Sequence, residues 1–171
     1  MSRQPDSRRR DEGEHKEELV EKVLHVNRCA KVITGGRKFS FSAMILVGDG
    51  KGRVGFGFAK ANELADSIKK GGELARKNMV TFEMDENGRT IPHEVIVSYD
   101  GVKLLLRPAA IGKGIIAGSK VRAVLEAAGI KDVVAKSLGS SNPFNQVKAT
   151  FKALSLLRSR QKTLLARGIS S

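Results

Sequence analysis

The sequence predicts an α+β protein made of two small α/β domains. Three observations carry this. Runs of alternating apolar residues separated by glycine turns read as strands; three longer stretches switch to the i, i+3, i+4 spacing of amphipathic helices; and strands precede the helix in each half of the chain. With 171 residues and 40% hydrophobic content, the chain is long enough to bury a sizeable core. Aromatics are 5% with no Trp, so that core is aliphatic, and base stacking on exposed rings is not expected to dominate any nucleic-acid binding.

In chain order, residues 1–18 are charged, of mixed sign and almost free of apolar side chains, which reads as a disordered tail. The stretch "LVEKVLHVNRCAKVI" is ambiguous. Leu19, Val23 and Val26 fit a helical stripe, while the valine content favours a strand from about Val20. The turn "TGGRK" follows, then a strand through "FSFSAMILV", the turn "GDGKG" and a third strand, "RVGFGFA". In that strand Val54, Phe56 and Phe58 share one face, and Gly55 and Gly57 leave the other bare for something to approach closely. A helix is expected over about Lys60 to Asn78, striped by Ala61, Leu64, Ala65, Ile68, Ala75 and Met79. Gly71 and Gly72 interrupt it, each costing roughly 1 kcal/mol against alanine. Residues 19–83 thus form a β-β-β-α block.

The second block, 84–171, opens with a hairpin over "VTFEMDENGRTI" turning at "DENG". A second hairpin in "EVIVSYDGVKLLLRP" turns at Asp100-Gly101. A glycine-rich stretch leads to a short helix, with Ser119 as its N-cap candidate and Gly129 at its end. After the strand "VVAK", the last helix is capped by Asn142, with Pro143 in its first turn and Phe144, Val147, Phe151 and Leu154 inside. The basic end "RSRQKTLLAR" reads as a fraying tail.

The net charge of +13 implies an anionic partner: RNA, DNA or an anionic membrane. Residues 1–18 hold five basic and six acidic side chains, 19–83 hold twelve and six, and 84–171 hold fourteen and six. The excess therefore sits on the folded part, as structured basic surfaces. The single cysteine, Cys29, excludes an intramolecular disulfide, fits a reducing compartment and suits a small core residue in a strand. No signal-peptide core and no membrane-length apolar run occurs, so a cytosolic protein is expected.

Catalytic chemistry finds little support. His15, His25 and His93 are scattered, without ligands at metal spacing. Gly50, Gly52 and Gly55 spell G-x-G-x-x-G, but "FGFA" continues a strand where a dinucleotide site needs a helix. The sharper rival is "PAAIGKGIIAGSK", Pro108 to Lys120, which precedes a helix and resembles the phosphate loop of small-molecule kinases for sugars and mevalonate. It has Lys113-Gly114-Ile115 where those continue Ser-Ser-Ala, and no acids cluster nearby for Mg²⁺.

One family matches across the chain. "FSFSAMILVGDGKGRVGFGFAKANE" resembles the signature of the small-subunit ribosomal protein S5 family, bacterial type. The likeness runs on through "NRCAKVITGGRKFSF", "ARKNM", "LRPAAIGKGIIAGSKVRAVLEAAGI" and "AKSLGSSNPFNQVKAT", over about residues 19–160. The resemblance implies a first domain like a double-stranded-RNA-binding domain without its first helix, and a second with a left-handed β-α-β two-layer fold shared with those kinases. It implies a non-enzymatic, cofactor-free protein of the cytoplasmic ribosome. That protein binds small-subunit ribosomal RNA, contacts ribosomal proteins four and eight, helps line the messenger path and influences accuracy. It places Arg28, Lys31, Gly35, Gly36, Arg37 and Lys38 of the first turn at RNA, with Lys51, Arg53, Gly55, Gly57 and Lys60 beside it. Gly112, Gly114 and Arg122 fall in the region that meets protein four. The rivals are a small-molecule kinase and an RNA-binding regulator outside the ribosome.

Overall fold

The computed structural model describes residues 19–85 and 87–168. The expected disorder of 1–18 lies outside them. The first sheet is antiparallel, in the order β1 (Val20–Ile33), β2 (Gly36–Gly48), β3 (Arg53–Ala61), β4 (Met79–Thr81), with helix α1 (Leu64–Lys77) between β3 and β4. The second sheet has the order β5 (Val95–Tyr99), β6 (Val102–Pro108), β8 (Val133–Gly139), β7 (Ile115–Ile116). Helix α2 (Ser119–Ala127) joins β7 to its parallel neighbour β8, and α3 (Pro143–Ser155) and α4 (Arg160–Ala166) close the chain.

Strand alternation explains the layering. Ala43, Ile45 and Val47 of β2 turn toward α1 and cluster with Ala75. Met44 and Leu46 turn the other way, joining Val54 and Phe56 in a core with Leu104, Leu106, Val124, Val147 and Leu154 of the second half. The first sheet is therefore covered on both faces, and the two halves share one core. Full burial of each of Ile45 and Leu46 contributes about 1.5–3 kcal/mol. Phe144 and Phe151 of α3 meet Phe56 at 5.7 and 6.2 Å between ring centroids.

Several expectations hold in detail. Asp100 (φ 45°) and Gly101 (φ 79°) make the tight β5–β6 turn. The Asn142 side chain accepts the Phe144 amide at 3.1 Å, with Pro143 opening α3.

Others are corrected. Lys60 and Ala61 belong to β3, and the helix begins at Leu64. Its buried face is Ser67, Gly71, Gly72 and Ala75, so the two glycines are contact points; Leu64 and Leu74 are exposed. No strand lies between Thr81 and Val95 among the described residues. Met79–Thr81 pairs instead with β3, and beyond it the Asp85 amide donates to the Thr90 carbonyl and the Gly88 amide to the Asp85 carbonyl. Gly118 takes the N-cap position of α2, making Ser119 its first residue. The C-terminal "RSRQKTLLAR" contains α4, which is docked: Glu83 accepts the Ser159 amide and pairs with Lys162, and His93 Nε2 accepts the Arg158 amide. Cys29 is exposed, because the strand around it runs beyond the body.

Candidate nucleic-acid interface

β1 and β2 stay paired to their tip, where Thr34 and Gly35 connect Ile33 to Gly36. Gly35 (φ 94°) and Gly36 (φ 150°) supply the left-handed backbone that this two-residue loop requires. From Asn27 to Phe39 every residue is exposed, so this part projects as a two-stranded ribbon with no layer behind it. Such a ribbon is marginal in water by itself.

The ribbon's chemistry is one-signed. From Lys22 to Gly48 the chain has five basic residues and no carboxylate. Lys31 stands directly opposite Lys38, and Arg37 opposite Val32. Directly opposed like charges destabilise a ladder by roughly 0.2–1 kcal/mol, which a bound polyanion reverses. On one face, the Arg28 guanidinium lies 3.7 Å from the centroid of the Phe39 ring. Phe39 is 41% exposed and Val32 75%, giving the basic ribbon a broad apolar edge. Phe39 was not singled out from sequence. The signal available was an aromatic beside Arg37-Lys38 inside a stretch devoid of acids.

The structure thus gathers Arg28, Lys31, Gly35, Gly36, Arg37 and Lys38 on one projection. Lys60 pairs with Ser42 near its base, its ammonium 5.8 Å from the Phe58 ring centroid. Lys51 and Arg53 sit at the opposite end of the sheet, about 40 Å away along β2 at roughly 3.3 Å per residue. Lys51 is exposed; the Arg53 Nε donates to Asp49 Oδ2 at 2.8 Å. Burial raises the Asp49 carboxyl, but this is outweighed by Arg53 and the amides of Lys51 and Arg53, which hold it below the ordinary range.

Gly55 and Gly57 do not face RNA. A Cβ on Gly55 would lie 2.0 Å from the Ala75 carbonyl oxygen, and one on Gly57 2.0 Å from that of Gly71. The bare face of β3 receives the protein's own helix α1, and both glycines are buried under it. The glycine amides of the G-x-G-x-x-G turn are already taken. The Gly50 amide donates to Ala127 O at 3.1 Å and the Gly52 amide to Ala128 O at 2.9 Å, at the carboxyl end of α2. Its donors satisfy helix carbonyls and join the two halves of the molecule.

The second glycine loop is also internally committed. Asp132, 2% exposed, accepts the Gly114 amide (2.9 Å) and the Gly112 amide (3.1 Å) on one oxygen and Arg89 Nε (3.1 Å) on the other. The Gly114 amide first, then Arg89 and the Gly112 amide, hold its carboxyl below the ordinary range against the opposing effect of burial. A carboxylate therefore occupies the amides a kinase would offer to phosphate. The loop is a rigid surface feature, with Gly112 and Arg122 exposed on either side of the start of α2. Among the described residues no group of His, Cys, Asp or Glu is placed to hold a metal, and no helix is long and apolar enough to cross a membrane.

Comparison with known proteins gives two family matches along the chain. Residues 19–83 match the family model for the N-terminal domain of ribosomal protein S5, and residues 97–167 that for its C-terminal domain. The chain is 62% identical over 169 residues to small ribosomal subunit protein uS5 of Protochlamydia amoebophila, covering 99% of this chain and 100% of that protein. It is 66% identical over 157 residues to the uS5 protein of Chlamydia caviae, covering 91% and 94%. It is 67% identical over 155 residues to that of Chlamydia pneumoniae, covering 90% and 93%.

Proposed function

The chain belongs to the ribosomal protein S5 family, a structural and non-enzymatic one, and from that premise we propose that it binds small-subunit ribosomal RNA through the β1–β2 ribbon. The observation that carries the reading is the exposed, acid-free ribbon with Lys31 opposed to Lys38. Arg28, Lys31, Arg37 and Lys38 neutralise backbone phosphates and release counterions, while Gly35 and Gly36 let the tip approach the RNA closely. Recognition is by shape and backbone, as suits folded RNA. Lys60 extends the contact at the base of the ribbon, and Lys51 and Arg53 touch RNA at the far end of the sheet. The surface of Gly112, Gly114 and Arg122 meets ribosomal protein four, with protein eight as a second neighbour and messenger RNA passing nearby. By stiffening that contact the chain supports subunit assembly and decoding accuracy. It works in the cytoplasmic ribosome without cofactor or small-molecule substrate.

Two measurements test this. The protein should co-sediment with small ribosomal subunits through a moderate-salt wash; loss of the protein from that fraction sinks the reading. Replacing Arg37 and Lys38 together by Ala should weaken RNA binding and flatten the log affinity against log salt plot by about 1.5 units. An unchanged slope removes the ribbon from the interface.

A further inference from the structure

β1 meets helix α2 at two polar contacts, and both lie at the root of the ribbon. The pairing of β1 with β2 slips between Val23 and His25, so Leu24 is an extra residue with no partner opposite it. Its side chain is the buried one of β1 and enters the shared core with Val121 and Val124 of α2. Its carbonyl accepts the Lys120 ammonium at 2.6 Å. About 9 Å further along α2, Glu126 pairs with Lys22 at 2.9 Å. The two contacts differ in weight. Lys22 and Glu126 are about half-exposed, and such a pair contributes little. The Lys120 bond is partly buried and joins a full charge to a backbone carbonyl, and among the described residues no carboxylate pairs with that ammonium. A bulge bends its strand and increases the local twist. The exposed ribbon begins just beyond this one, at Asn27. On the other side of the bond, Val121, Val124 and Leu125 are fully buried, so α2 is a fixed frame.

We propose that Lys120 is a positioning residue for RNA recognition: by gripping the Leu24 bulge it fixes the angle at which the ribbon leaves the body. The inference rests on the ribbon reading above and says how that site is held. From Leu24 to Ile33 the strand reaches about 30 Å, at roughly 3.3 Å per residue. A tilt of about 10° at the root therefore moves the tip by about 5 Å, enough to carry Lys31, Arg37 and Lys38 away from the phosphates they bond. From Asn27 to Phe39 the ribbon has no layer behind it, so its angle is set at the root. A fixed angle removes the ordering cost that a swinging ribbon meets on binding. Lys120 does this from outside the RNA site. It belongs to the other half of the chain, and its ammonium is already committed to Leu24.

The test has two arms, one of them free of RNA. Spin labels at the native Cys29 and at Ser98→Cys, exposed on β5, report the distance from ribbon to body. With Lys120 in place the pair should give one narrow distribution. Lys120→Met keeps the side chain's bulk and loses its donor, and should broaden or shift that distribution by about 5 Å. Lys120→Arg should restore it. In the second arm the full chain binds transcribed small-subunit ribosomal RNA. Lys120→Met should bind about tenfold more weakly at an unchanged salt slope, and Lys120→Arg should bind as the native protein does. An unchanged distance distribution, or an unchanged affinity, overturns the proposal. So does a slope reduced by about 0.7–0.9, which makes Lys120 a phosphate contact. Should Lys120→Met not fold, the native chain decides. Lys120 should react with an amine reagent about tenfold more slowly than the exposed Lys113, and bound RNA should protect Lys31 and Lys38 while leaving Lys120 unchanged. A Lys120 that reacts as fast as Lys113, or that RNA protects, overturns the proposal. A native protein that binds no ribosomal RNA refutes the ribbon reading before any variant is made, and the distance arm still decides whether Lys120 holds the ribbon.

Discussion

Replacing Gly57 by Ala places a methyl group where helix α1 already lies. The added Cβ would stand 2.0 Å from the Gly71 carbonyl oxygen, 2.7 Å from the Ala75 nitrogen and 3.0 Å from the Gly71 carbonyl carbon. All three are backbone atoms, so no side chain can swing aside. Gly57 has no positive φ, so alanine meets no conformational objection and the cost is steric alone. Relief requires α1 to lift by about 1 Å, loosening Ala75 and Ile68 against Ile45. Overpacking of this kind costs about 3 kcal/mol, the upper end of the usual range. That is more than a hundredfold in the folding equilibrium, and about 6–12 °C in Tm for a chain of this size. Urea unfolding followed by circular dichroism measures it. Gly35→Ala is the control: nothing lies within 4 Å of its Cβ, and φ is 94°, so it should lose only about 1 kcal/mol from backbone strain. If Gly57→Ala lies within about 0.5 kcal/mol of the native protein, or costs no more than Gly35→Ala, the close approach of α1 to β3 is refuted.

Two further predictions concern the second glycine loop and the ribbon. Asp132→Asn should lower the urea midpoint at neutral pH. Because the native carboxyl lies below its ordinary value, its contribution is full above about pH 4 and is lost as pH falls through the depressed value, so native and variant proteins should converge on acidification. A midpoint difference that persists unchanged to about pH 2 would show that the charge is not what holds Gly112 and Gly114. Cys29, exposed on the ribbon, should react with a thiol reagent in the native protein at nearly the rate of a free peptide, and bound RNA should slow it about tenfold. A native thiol that resists the reagent, or one indifferent to RNA, would contradict the ribbon's placement.

Most elements were legible from local pattern, although the "DENG" hairpin does not form and α4 forms where the pattern reads as a tail. Val54, Phe56 and Phe58 alternating, Asp100-Gly101, and Asn142-Pro143 each encode a strand, a turn and a cap through interactions a few residues long. The basic side chains of the ribbon were legible as residues, but placing them at RNA came from the family resemblance, and the acid-free run from Lys22 to Gly48 was recognised only once the ribbon was seen to project. What covers a face was not legible. Gly55 and Gly57 announce a close approach, yet only packing shows that the visitor is α1 and not an RNA backbone, and that Gly71 is its reciprocal contact. Gly71 and Gly72 looked like breaks in a helix because propensity is counted along the chain, whereas their value lies in the distance between two layers. The "GDGKG" amides follow the same logic: their partners, Ala127 and Ala128, lie more than seventy residues away in sequence. The fate of the C-terminal arginines likewise depended on Glu83 and His93, which hold α4 against the body. The sequence by itself therefore determined most of the elements and the charge, because these depend on neighbours along the chain. Only the tertiary structure decided which glycines face protein, which amides are already occupied and how α4 is docked, because those are set by contacts between residues far apart in sequence.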